Sequence, residues 1–156
     1  MTKRTRRRGV SVLAVAMAIW LMLMPQFIVG MGTNLWVHLP EQSATADAMS
    51  VPGRIWFSLS WSLTHSPTFL RIHVLIALAL VILSLFNFVW TCTKRRTVLI
   101  LLSFLGFGEL MAATINGLFF VLYQYDVNSF IMSIAFVSSV ISFAIEIYLL
   151  KKAQIE

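Results

Sequence analysis

The residues best placed for chemistry are His38, His73, Asn34, Asn116 and Glu109, and each lies within or at the end of a long apolar stretch. Two imidazoles on neighbouring membrane helices are the axial ligand set of a b-type haem. His38 and His73 meet that requirement, since both fall towards the same side of the membrane at similar depth. A carboxyl group inside an apolar run marks proton or cation pathways in transporters. Glu109 is such a group, set near the middle of its run, where it must be protonated or paired. The amides Asn34 and Asn116 offer one donor and one acceptor function each, suited to holding a ligand by hydrogen bonds.

Four apolar runs must position these groups: Val10–Gly30, Ile72–Trp90, Thr97–Tyr123 and Phe130–Leu150. A bilayer core about 30 Å thick takes roughly 20 apolar residues as helix. Helices satisfy their own backbone in lipid, whereas a β-barrel would show segments of about ten alternating residues, which are missing from the pattern. The chain has 156 residues, 59% of them hydrophobic, and a mean hydropathy of +0.86. The reading is an all-α bundle of four transmembrane helices in a single domain. The helices are expected over about 10–38, 70–91, 97–124 and 128–150, giving a membrane domain of 10–150, an outer loop at 39–69, a basic tail at 1–9 and a C-terminal tail at 151–156.

Charge orients the bundle. Of 12 Lys and Arg, all but Arg54 and Arg71 lie at the N-terminus, in the 94–96 turn or at Lys151 and Lys152. The positive-inside rule then places both termini in the cytoplasm, and the protein is read as lying in the plasma membrane. The basic clusters face lipid headgroups rather than nucleic acid, for which there is no soluble module. The first run exceeds the 7–15 apolar residues of a secretion signal, so it is read as a retained helix. Cys92 is the single cysteine, which excludes a relay through paired thiols.

Helical spacing collects polar and small residues onto one face of each span. The first carries Gln26, Gly30, Asn34 and His38, with Pro25 inside and Pro40 as the stop; the second carries His73, Ala77, Ser84 and Asn87. The third carries Gly106, Glu109, Ala113 and Asn116, and the fourth carries Asn128, Ala135, Ser139, Ser142 and Glu146. Such stripes are what bundle packing needs, because small residues let membrane helices approach and amides bond across them. The outer segment Arg54–Thr64 alternates apolar residues with Ser and Thr. It is read as an interfacial helix with Trp56 and Trp61 at headgroup level, since a lone strand has no partner.

The stretches Gln26–Pro40 (QFIVGMGTNLWVHLP) and Asn116–Ser133 (NGLFFVLYQYDVNSFIMS) resemble small, uncharacterised four-helix membrane proteins of Gram-positive bacteria. The resemblance implies the fold and carries no functional residue with it. No H-x-x-x-H motif, Gly-rich phosphate loop or Ser/His/Asp set appears, so the leading reading is a non-enzymatic binding or accessory module. The partners expected are the bilayer itself and another membrane protein or a second copy. The alternatives are a haem b protein using His38 and His73, a proton-coupled transporter using Glu109, and an enzyme acting on lipid through His65, His73 and Asp126.

Overall fold

Each apolar run becomes a helix because a helix pairs its own backbone groups where lipid offers them no partner. The computed structural model describes residues 11–39, 48–94 and 96–155. It contains α1 (Val12–Trp36), α2 (Val51–Thr64), α3 (Thr68–Cys92), α4 (Thr97–Tyr123) and α5 (Asp126–Ile155). The helices α1, α3, α4 and α5 are long and apolar enough to cross a membrane. The tail 1–9, Pro40 and most of the loop after it lie outside the described residues.

Local chemistry sets the ends. The Ser11 hydroxyl accepts the Ala14 N–H at 3.1 Å and caps α1. The helix tolerates Pro25 and ends at Trp36, with Val37 extended at φ −99° and ψ 113°. His38 therefore lies beyond the helix, not on its Gln26–Asn34 stripe as the spacing suggested. Leu39 precedes a proline, which disfavours α geometry there and pulls the exit earlier. At the α4–α5 turn, Gln124 takes a left-handed conformation at φ 54° and its N–H bonds the Phe120 carbonyl. Its side chain donates to the Leu39 carbonyl at 3.1 Å, tying that turn to the exit from α1.

α2 explains the alternation in 54–64. Ser58 and Ser62 are four apart, share one helical face and are completely buried. The Ser58 hydroxyl donates to the Leu118 carbonyl of α4 at 2.8 Å. Serine is small enough to let α2 settle against α4, while Trp56 stays 72% exposed. Leu59, Trp61 and Leu63 pack around Leu70, Val74 and Val121.

The four long helices form a square in which α1 meets α3, α3 meets α4, α4 meets α5 and α5 returns to α1. The α4–α5 hairpin is the most extensive pairing. Val15, Ile19, Leu23, Leu80, Leu110 and Phe143 fill the centre. Phe143 is fully buried because Gly106 leaves room for it: a Cβ at Gly106 would fall 2.8 Å from Phe143 Cζ. The end carrying Lys94, Arg96, Lys151 and Lys152 is called here the basic end, and the other the α2 end.

Gly106→Ala is therefore expected to destabilise the bundle by about 1–3 kcal/mol through overpacking. Thermal unfolding in detergent should show the loss, and Phe143→Leu in the same chain should restore much of it.

Candidate functional site

The polar residues separate into two places along the bundle. Towards the α2 end a cavity of about 480 Å³ lies among all five helices. Gln26, Gly30, Asn34 and His38 reach it from α1 and the chain just beyond. His73 and Ala77 come from α3, Ala113 and Gly117 from α4, and Ser129 and Ser133 from α5. The remaining wall is mostly Leu, Val, Met and Phe.

Gln26 and His73 form its most defined polar feature. Gln26 Nε2 lies 3.4 Å from His73 Nε2, a long hydrogen bond. Gln26 is only 7% exposed despite its amide. His73 can press onto α1 because residue 30 is glycine; a Cβ there would fall 2.8 Å from His73 Cε1. Gln26 Oε1 and His73 Nδ1 are buried without a protein partner. Leaving such groups unpaired costs about 1–3 kcal/mol each, a cost retained where a ligand uses them.

Of the four residues proposed as ligand contacts, Asn34, His38 and His73 line this one cavity. Asn116 stands apart, since its Nδ2 donates to the Ala112 carbonyl of its own helix at 2.9 Å. His65 ends α2, exposed, with Nδ1 2.6 Å from the Thr64 hydroxyl. Glu109 belongs to neither place. It is hydrogen-bonded by the Ser142 side chain, its Oε2 has no partner, and it lines a shallow groove with Gly108, Ala112, Ala135 and Ser138. Among the described residues no group of three or more His, Cys, Asp or Glu converges as a metal site.

The second place lies near the basic end. Glu146, Asn87, Ser103 and Thr91 are all completely buried. Asn87 Nδ2 donates to Glu146 Oε1 at 3.0 Å and Oε2 at 3.1 Å, and the Ser103 hydroxyl donates to Oε1 at 2.6 Å. The Thr91 hydroxyl bonds the Asn87 carbonyl at 2.8 Å. One carboxyl group thus joins α3, α4 and α5. The spacing placed Asn87 and Glu146 on inward stripes but gave no reason to pair them. The signal was depth: both lie within two turns of a basic cluster, as does Ser103.

No family model, curated protein or solved structure matches the chain.

Asn87→Leu is expected to cost about 2–3 kcal/mol, because it strips the buried carboxyl group of its amide donor. The double variant Asn87→Leu, Glu146→Leu should recover much of that loss, since removing both partners is far less costly than removing one. A double-mutant cycle on unfolding in detergent measures the coupling.

Proposed function

We propose that this chain is a small multi-pass plasma membrane protein with both termini in the cytoplasm, and that it binds a small molecule in the α2-end cavity. One observation carries the binding reading: a cavity within the usual range of ligand pockets has in its wall a buried amide and an imidazole with unused hydrogen-bonding atoms. Hydrogen-bonding groups set in an apolar wall suit recognition and retention, and the protein acts as a binding or accessory module. Orientation rests on charge. Lys94, Arg96, Lys151 and Lys152 share one end, the end at which α1 begins, while Arg54 and Arg71 lie at the other.

A haem b reading is the alternative that a specific observation favours, because His38 and His73 line the same cavity. Proton-coupled transport through Glu109 gains no such support, since Glu109 faces the separate α4–α5 groove.

Purified protein is expected to carry a bound small molecule that mass spectrometry detects, and adding bulk to the cavity wall through Ala77→Leu should reduce its amount severalfold while unfolding in detergent stays cooperative. A protein that binds nothing from cells or added lipid would defeat the binding reading. An absorbance spectrum of the same sample decides for haem if it shows a Soret band that His73→Ala removes.

Topology is checked with the native thiol. Cys92 is exposed at the basic end. A membrane-impermeant maleimide should leave it unlabelled in intact cells and label it after permeabilisation. Ala48→Cys, in a Cys92→Ser chain, should label in intact cells.

A further inference from the structure

We infer that the cavity takes a neutral, single-headed lipid, a long chain ending in a hydroxyl or unsubstituted amide, which reaches it sideways from the outer leaflet between α1 and α5. This rests on the binding reading above and specifies its ligand.

Charge comes first. Among the described residues no Lys, Arg, Asp or Glu lines the cavity. Gln26 lies ten residues inside the Trp36 end of α1, which at 1.5 Å per residue is roughly 15 Å. No permanently charged side chain stands in the described wall to pair a phosphate, carboxylate or ammonium group, His38 and His73 being its ionisable groups, and burying an unpaired charge costs several kcal/mol. The wall therefore favours a neutral head.

The head's hydrogen bonding follows from the Gln26–His73 pair. If Gln26 Nε2 donates to His73 Nε2, the imidazole proton is on Nδ1. The free atoms are then an acceptor, Gln26 Oε1, and a donor, His73 Nδ1–H. If the Gln26 amide is turned over, its oxygen accepts from His73 Nε2–H. The free atoms are then an amide donor and an Nδ1 acceptor. Either way the pair offers one donor and one acceptor. A hydroxyl or primary amide answers both, after a rotation that turns these side chains further into the cavity they already line. An ester or a hydrocarbon answers at most one.

Access follows from what the wall shows to lipid. Phe27 (54% exposed), Met31 (44%) and Val137 (57%) line the cavity and also face outward, as does Ser133. All four lie along the α1–α5 seam at membrane depth. The Phe27 and Phe136 rings stack across that seam at 5.8 Å and close it on the basic side. At the α2 end, Gln124 is bonded to the Leu39 carbonyl and Leu59 of α2 adds to the wall, while the exposed Asn34, His38 and Gln124 give the cavity a polar rim. The apolar side, the one a lipid chain can pass, is lateral.

The test uses full-length protein in phosphatidylcholine nanodiscs with three photoactivatable probes of the same sixteen-carbon chain: the alcohol, the carboxylic acid and the amine. The alcohol should crosslink to peptides holding Phe27, Met31, Ser133 or Val137 about tenfold more than either charged probe, a difference of about 1.4 kcal/mol. Gln26→Leu should lower alcohol crosslinking about tenfold, and Ser133→Trp should slow its uptake. Equal labelling by acid or amine, or uptake unchanged in Ser133→Trp, overturns the inference and leaves the binding reading standing. Absence of cavity labelling by all three probes, together with no co-purifying molecule, overturns both. The comparison among probes needs no variant, so it decides the matter even if Gln26→Leu does not fold.

Discussion

Glu146 fixes one end of this bundle. Lipid supplies little hydrophobic force between helices, so association depends on close contact and on polar groups with no other partner. A carboxyl group enclosed by Asn87 and Ser103 can be satisfied only while α3, α4 and α5 stay together. Hydrogen bonds to such a group contribute more than ordinary ones, and separating the helices would leave it unpaired in hydrocarbon. One turn further in, Gly106 and Phe143 interlock α4 with α5. The basic end is thereby specified twice, by polar pairing and by shape.

The α2 end is built under the opposite condition. Its small residues, Gly30, Ala77, Ala113 and Gly117, line a common space, and Met132 covers Gly117. Gly30 is covered by the ring of His73, but the pair this creates leaves Gln26 Oε1 and His73 Nδ1 unsatisfied. Tight packing at one end makes this tolerable. Marginally stable proteins concentrate unpaired polar groups and voids where they have a use, and compensate elsewhere. The same sequence thus combines a rigid clasp with a hollow, and α2 sets Ser58 against α4 beside the cavity wall.

Most of the fold was legible because hydropathy alone selects spans in a membrane protein. The periodic polar faces also pointed inward, as Gln26, Asn87 and Glu146 show by their burial. Two things were not legible. The exit from α1 precedes His38, because backbone geometry near a proline is decided by local sterics that periodicity ignores. The pairing of Asn87 with Glu146 was hidden because face analysis treats each helix alone, whereas a hydrogen bond needs the relative rotation and height of two. Asn116 shows the converse: it sits on the expected stripe, yet its amide bonds back to Ala112 and leaves the cavity to others.

The serine periodicity of α2 bears on the direction from which the cavity is reached. Ser58 and Ser62 share the buried face of α2, and Leu59, Trp61 and Leu63 pack towards Leu70 and Val74. That apolar contact, with the Gln124 bond to Leu39 beside it, narrows the route along the bundle axis to a rim that is polar at Asn34 and His38. The α1–α5 seam is closed on the basic side by the Phe27–Phe136 stack, and Phe27, Met31 and Val137 along it stay exposed to the surroundings. In water such a seam would close to bury its apolar residues. In lipid that force is missing, so an opening lined by hydrocarbon side chains persists at little cost and favours what is already dissolved in the membrane.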